Sequence, residues 1–407
     1  MYRLRNTIRD YAWGSRTALA GLLGHDAPGG PEAELWIGAH PGAPSLAEVP
    51  GAAPVPLDRL IEDDPASALG ADAAERFGRL PYLAKLLAAD APLSIQVHPT
   101  LARAREGFAL EEGAGVDRSA AHRNYKDDNH KPEMIFALTP FTALCGFRPA
   151  DESAALFELL AGRVPEPAAG AARRTAGLLR GGRLREAFTG LLEAPDDVVA
   201  LVGASAAASA GAGPHDAGLA ELPRLEAAYP GDPGVLVSLM LNLVELEPGQ
   251  AICLPAGNVH AYLRGLGVEV MASSDNVLRG GLTAKHVDIP ELLDTVDFEA
   301  LPVPFVEAGT TELGQEVYSP GFDEFVLQRI VFAAAPGVDA MADDDVPLLQ
   351  NGPVLVVATA GSMVLDSPRG DLVLERGGSV FVPACEAPVV VKHHGPGPAE
   401  AFAVTLP

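Results

Sequence analysis

The chain predicts a mainly β fold with a helical insert: two double-sheet jelly-roll barrels plus an α-helical domain. Three features carry this expectation. Short apolar runs broken by Gly and Pro fill the first 149 residues, as in Glu34-Leu-Trp-Ile-Gly38 and Pro140-Phe-Thr-Ala-Leu-Cys-Gly-Phe-Arg-Pro149. From Ala150 to about Tyr229 the text turns rich in Ala and Leu at helical spacing, as in Ala154-Ala-Leu-Phe-Glu-Leu-Leu160 and Arg185-Glu-Ala-Phe-Thr-Gly-Leu-Leu192. The third feature is an internal repeat: Leu246-Glu-Pro-Gly249, four residues, then Leu254-Pro-Ala256 returns 128 residues later as Leu374-Glu-Arg-Gly377, four residues, then Val382-Pro-Ala384. A turn glycine, a short apolar strand and a closing proline make one supersecondary unit, and its double occurrence is expected of paired barrels of the cupin kind.

These shifts set the boundaries. Residues 1–149 give the first part of the catalytic barrel, 150–232 the helical insert, 233–300 the second part of that barrel, and 301–407 a non-catalytic C-terminal barrel. Within the insert, the Gly/Ser/Ala-rich stretch from Ser205 to Gly218 reads as a loop, and strand signals resume near Val235. The two barrels are not equivalent, because the position 128 residues after His260 is Pro388. His393-His394 restores no matching set and reads as solvated, so the second barrel is expected to be structural or an interface.

Composition narrows the partners. At 407 residues the chain exceeds a single core. A net charge of −25 argues against nucleic acid and against an anionic membrane, so an anionic substrate needs a local basic cluster. Cys145, Cys253 and Cys385 are odd in number and widely spaced, which reads as three core thiols in a reducing compartment. The N-terminus has no apolar signal-like region and no run of about 18 apolar residues occurs. The expected location is the cytoplasm, with the chain a monomer.

The chemistry concentrates in three stretches. In Pro92-Leu-Ser-Ile-Gln-Val-His-Pro99, Leu93, Ile95 and Val97 alternate with Ser94, Gln96 and His98, giving a strand with one apolar and one polar face. His130-Lys-Pro-Glu133 and Pro255-Ala-Gly-Asn-Val-His260 add a carboxylate and a second imidazole that a barrel can bring to Gln96 and His98. Imidazole nitrogen and carboxylate oxygen suit Zn²⁺, and a set without thiolates leaves the ion Lewis acidic with an open position, as catalysis requires. Basic residues stand nearby: Lys85 before the first metal strand, Lys131 beside Glu133, and Arg279 and Lys285 in Asp275-Asn-Val-Leu-Arg-Gly-Gly-Leu-Thr-Ala-Lys285. Arg279 precedes Gly280-Gly281, where backbone can approach a ligand closely, and guanidinium matches phosphate geometry. An anionic sugar or a phosphate ester is the expected substrate class.

Five strings fall in order and resemble the type I mannose-6-phosphate isomerases, a zinc-dependent cupin family. They are Tyr11-Ala-Trp-Gly14, Ile95-Gln-Val-His-Pro99, Tyr125-Lys-Asp-Asp-Asn-His-Lys-Pro-Glu-Met134, Pro255-Ala-Gly-Asn-Val-His-Ala-Tyr262 and Ser274-Asp-Asn-Val-Leu-Arg279. The resemblance runs to about Leu292 and implies interconversion of mannose 6-phosphate and fructose 6-phosphate, with one Zn²⁺ per chain. It implies zinc ligands at Gln96, His98, Glu133 and His260, a catalytic arginine at Arg279, and a site lined by Trp13, Ser94, Lys131, Tyr262, Glu269 and Asp275. Lys85 and Lys285 join them as substrate-binding cations. The family often has proline where Ala284 stands, and this insert is unusually rich in alanine and glycine.

Aldose–ketose isomerisation moves a proton from C2 to C1 through a cis-enediolate, whose negative charge a metal can stabilise. Two residues compete for the base. A water-poor barrel can raise Glu269 toward neutrality, while a neighbouring metal can depress Lys131. Two other classes fit part of the pattern: a non-catalytic metal-containing cupin that senses a sugar phosphate, and an iron dioxygenase built on two histidines and a carboxylate. The acid/base candidates disfavour the first, and Gln96 with the basic cluster disfavours the second.

Overall fold

Strand alternation decides which side chains meet inside the β portion. In the strand Tyr82–Ala89 of the computed structural model, which describes residues 1–209, 216–332 and 345–407, the side chains of Tyr82, Ala84, Leu86 and Ala88 enter one apolar core, whereas Leu83, Lys85, Leu87 and Ala89 face the opposite side. Glu133–Ala137 divides likewise, with Met134 and Phe136 in the first core and Glu133, Ile135 and Ala137 turned away from it. The long strand His260–Ala272 lies between these two and sends Val268 and Val270 into the same core. Register then aligns the opposite faces: Trp36 stands across from Lys85, Lys85 from Glu269, and Glu269 from Ile135.

These strands belong to a ten-stranded sheet that also contains Ile95–Val97, Phe141–Phe147, Leu241–Leu246, Ala251–Leu254 and Leu278–Gly281. A nine-stranded sheet, built mainly from the C-terminal third, packs on its outer face, and a four-stranded sheet completes that C-terminal unit. The core between the two large sheets joins Phe136, Leu86 and Val268 to Phe325, Leu355, Phe381 and Phe402. The chain's first strand, Tyr2–Arg5, pairs with Ser379–Val382 and with Leu46–Ala47. Tyr2–Arg5 and Leu46–Ala47 thus extend the nine-stranded sheet. A pairing across more than 370 residues leaves no local mark in the sequence.

The repeat has a structural counterpart. Leu241–Leu246 pairs with Phe141–Phe147, and after the glycine turn Ala251–Leu254 pairs with Glu133–Ala137. In the second copy Leu372–Glu375 pairs with Ser362–Asp366, and Ser379–Val382 then pairs with Val354–Ala360. Each copy thus hands the chain from one partner layer to another. The interior of the C-terminal unit is filled by Ile330, Val354, Val356, Met363, Leu365, Leu374, Val380 and Val391.

The insert supplies the helices Ala150–Ala161, Ala168–Arg180, Leu184–Leu192, Asp196–Ala208 and Ala217–Ala228. Their apolar faces share a core with Ile95 and Val97, both fully buried. Burial of each side chain contributes about 1.5–3 kcal/mol, and because successive residues alternate, it forces Ser94, Gln96 and His98 to the other face. Two expectations fail here. The helix Asp196–Ala208 runs through Ser205, since alanines keep it helical and the Ser205 hydroxyl donates to the Val202 carbonyl; of the expected loop, 210–215 lie outside the described residues. The apolar run at Val235 is a helical turn, Gly234–Val237, buried on every side, a case that periodicity cannot separate from a strand. Cys385 is exposed, because the turn Ala384–Glu386 buries Glu386 against the N-terminal ammonium instead. Among the described residues no helix is long and apolar enough to cross a membrane.

Candidate metal centre and its cavity

Three strands converge on one point. His260 lies directly opposite Gln96, and Arg279 lies opposite Gln96 on its other side, so the three side chains sit in one lateral row. His98 follows Gln96 by two residues, and Glu133 arrives from the neighbouring strand across Met271. Glu133 Oε1 is 3.4 Å from His98 Nε2, Glu133 Oε2 is 3.3 Å from His260 Nε2, and the Gln96 carboxamide is 3.3 Å from His260 Nε2. His98, Glu133 and His260 are each at most 1% exposed.

The donor atoms fit a divalent cation. His98 Nε2 and Glu133 Oε2 are buried without hydrogen-bond partners, a costly arrangement unless a further group binds there. The other ring nitrogens are occupied: His98 Nδ1 lies 2.7 Å from the Asn276 carbonyl and His260 Nδ1 3.0 Å from the Asn258 carbonyl. An N–H at Nδ1 leaves the lone pair on Nε2, the orientation that metal-ligating histidines require. Burial pulls His98 down to about 4 against the opposing pull of Glu133, so the imidazole is neutral. Burial alone would raise Glu133, but the Lys131 ammonium leads the opposing pull, and the carboxyl is held well below its usual range. Among the described residues no other group of three His, Cys, Asp or Glu side chains converges in this way.

Above this point opens a cavity of about 510 Å³. Gln96, Ser94, Trp13, Lys85, Lys131, Asp275, Arg279 and Lys285 all line it. Tyr262 and Glu269 do not. Tyr262 is 1% exposed with its hydroxyl unpartnered, and Glu269 is covered by Lys85, whose Nζ sits 2.9 Å from Glu269 Oε2. For these two, expected at the cavity wall, strand register sets the depth, and a sequence shows only which face a residue takes. Burial opposes the Lys85 ammonium, yet Glu269, Glu34 and Glu133 overcome it and hold the lysine above its ordinary value. Burial raises Glu269 against Lys85, with Glu133 and Glu34 adding to the rise. Lys131 Nζ, at the wall, is 2.9 Å from Glu133 Oε1. Among the described residues no carboxylate opposes the shift at Arg279 or Lys285: burial lowers both, and Arg279 lowers Lys285 further.

Glu34, Trp36 and His40 complete the wall and its support, and all three were missed. Glu34 Oε2 accepts from Trp36 Nε1 at 2.8 Å, and Trp36 meets the His40 ring edge-on at 5.0 Å. His40 Nε2 is 3.5 Å from Asp275 Oδ2. The signal was present in Glu34-Leu-Trp-Ile-Gly38, where Glu34 and Trp36 alternate with the apolar Leu35 and Ile37. Asn276, fully buried, donates to the carbonyls of Asp127 and Asn129 and accepts from the backbone of Lys126, which ties the Tyr125–Met134 motif to the Ser274–Arg279 motif. The second glycine after Arg279 is required by packing. A Cβ on Gly281, at φ +125, would lie 2.6 Å from the Gly234 Cα, so the close approach is backbone on backbone.

Residues 1–150 match the family model described as phosphomannose isomerase type I, catalytic domain. The mannose-6-phosphate isomerase of Escherichia coli is 39% identical over 401 residues, covering 97% of this chain and 98% of its own. That of Schizosaccharomyces pombe is 31% identical over 424 residues, covering 96% of each. Among solved structures, mannose 6-phosphate isomerase from Salmonella typhimurium bound to the substrate fructose 6-phosphate and zinc superposes with a TM-score of 0.85 at 36% identity over all of both chains.

Proposed function

The chain belongs to the type I mannose-6-phosphate isomerases, and on that premise we propose that its cavity interconverts mannose 6-phosphate and fructose 6-phosphate around one zinc ion held by Gln96, His98, Glu133 and His260. One observation carries the reading: buried, unpartnered Nε2 and carboxylate atoms meet beneath a cavity whose wall holds two cations that, among the described residues, have no acidic partner. Bound there, zinc supplies Lewis acidity toward a sugar oxygen.

The remaining work falls to side chains. Arg279, one strand from Gln96, is assigned to the negative charge that grows on the sugar oxygens at C1 and C2, and Lys285 to the phosphate. Lys131, which lines the cavity, is assigned the proton transfer: its free amine would take the proton from C2, and the resulting ammonium would return it to C1. Glu269 instead acts beneath Lys85, keeping that ammonium charged to donate to a sugar oxygen. Trp13, Ser94 and Asp275 orient the sugar from the wall, and Tyr262 supports the floor. We read the β portion as two cupin-type barrels, with a metal-free second one supported by its apolar interior, and the chain as a monomer in the cytoplasm, a reducing compartment that three cysteines without disulfides fit. Family membership displaces the sensor and dioxygenase alternatives.

A coupled assay with mannose 6-phosphate, run after chelation and after return of zinc, tests the reading. Activity is expected to vanish and return, with one zinc per chain by elemental analysis and neither metal nor turnover in His98→Ala. Full activity in zinc-free protein, or two ions per chain, contradicts it.

A further inference from the structure

We propose that Asp232, at the end of the helical insert, is a positioning residue for the phosphate end of the cavity, holding the Leu282–Lys285 loop in the conformation that presents Lys285. The proposal rests on the assignment of Lys285 to phosphate. Asp232 Oδ1 accepts from the backbone N–H of Gly234 at 2.7 Å and of Leu282 at 2.8 Å, and Oδ2 accepts from Thr283 N–H at 3.0 Å. One carboxylate thus takes three backbone donors from two segments fifty residues apart. Charge-assisted bonds of this kind are the strong ones, and their geometry is directional.

The loop needs such a clamp. Leu282 has φ +51, a left-handed conformation that a branched, bulky side chain avoids, and it is fully buried. Strained residues of this sort persist only where surrounding contacts over-determine them, and they gather at functional sites. Here the determinants are Asp232 and the contact of Gly281 with Gly234. The next three residues, Thr283, Ala284 and Lys285, line the cavity, and the Thr283 hydroxyl accepts from Lys285 N–H at 3.1 Å. The segment bearing Asp232 is itself tied to the cavity, since Tyr229 lines it and donates its hydroxyl to the Pro92 carbonyl at 2.8 Å. The insert therefore sets the shape of a wall to which it contributes one aromatic side chain.

Asp232→Asn keeps the size but turns one acceptor oxygen into a donor facing a backbone N–H. The expected result in the zinc-loaded enzyme is a KM for mannose 6-phosphate raised about tenfold, with kcat within about twofold and zinc content unchanged. Inhibition by inorganic phosphate should weaken by the same factor. Asp232→Glu, which moves the carboxylate by one methylene, should show the same split to a smaller degree. Lys285→Ala should raise KM more, and the double variant should be no worse than Lys285→Ala, because both changes remove one contact. A KM within about twofold of the parent in both Asp232 variants, or a loss confined to kcat and thermal stability, overturns the proposal while leaving the phosphate assignment standing. An unchanged KM in Lys285→Ala overturns the phosphate assignment itself, and the proposal with it.

Discussion

Lys85 shows how one buried charge is made tolerable. Its ammonium is 5% exposed, 2.9 Å from Glu269, 3.4 Å from Glu34 and 5.2 Å from the Trp36 ring centroid. A lone ammonium at this depth would deprotonate, but two carboxylates and an aromatic face keep it charged. The converse dependence is stronger, because both acids need the lysine. Lys85→Met, similar in length and neutral, strands Glu34 and Glu269, and breaking a buried pair in this way costs about 3–5 kcal/mol. The sign of the pH dependence follows. Glu269 already lies above the ordinary 4.5, and without Lys85 it rises further. An acid whose folded pKa is raised favours the folded state while protonated, so the stability is kept at low pH and lost as pH rises through that value. Urea unfolding of Lys85→Met should approach the parent near pH 4.5 and fall behind it toward pH 8. A deficit independent of pH would mean that the acids do not depend on the lysine.

The strand Glu133–Ala137 carries stability on one face and chemistry on the other. Phe136 packs against Phe402 at 4.9 Å and Tyr318 at 5.2 Å between ring centroids, while Glu133 turns to the two imidazoles. Phe136→Ala should cost about 3–5 kcal/mol in chemical denaturation yet leave zinc stoichiometry unchanged in the folded fraction. Loss of zinc from protein that is still folded would show that the two faces are coupled. The same alternation explains what the sequence disclosed. Period two told Ser94, Gln96 and His98 from Ile95 and Val97, and period 3.6 marked the insert, because each is a local consequence of burial on one side. Neither period encodes a partner. The depth of Tyr262 and Glu269, the pairing of Tyr2–Arg5 with Ser379–Val382, and the clamp from Asp232 to Leu282 are set by which strands and turns lie alongside. Glu34 and Trp36 fall between these cases, visible in pattern and unassignable until Lys85 was seen across from Trp36.

The chain is held as one unit by the core between its two large sheets. That core takes Leu35, Ile37, Tyr82, Leu86, Met134, Phe136 and Val268 from the metal-bearing side and Phe325, Leu327, Leu355, Val357, Phe381, Phe402 and Val404 from the other. Tyr82 also donates its buried hydroxyl to the Pro353 carbonyl at 2.7 Å, and the N-terminal ammonium pairs with Glu386 at 3.0 Å. The described residues of 301–407 add nothing to the His98, Glu133 and His260 cluster, yet they cover the outer face of the strands that carry it. Removing them would expose a contiguous sheet face of large apolar side chains, far beyond the scattered hydrophobics that a stable surface carries. A chain ending at residue 300 is therefore expected to aggregate or to bind hydrophobic dyes, and to hold no zinc, although the four residues proposed as ligands lie within it. In the intact protein the same core should make the two β units unfold together. Aromatic fluorescence at Trp36, on the metal side, and hydrogen exchange in the Ala399–Thr405 strand, on the other, should report the same transition midpoint in denaturant. Two separated midpoints, or a soluble zinc-binding 1–300 fragment, would show that the C-terminal unit is an appendage and that the metal-bearing sheet is stable without it.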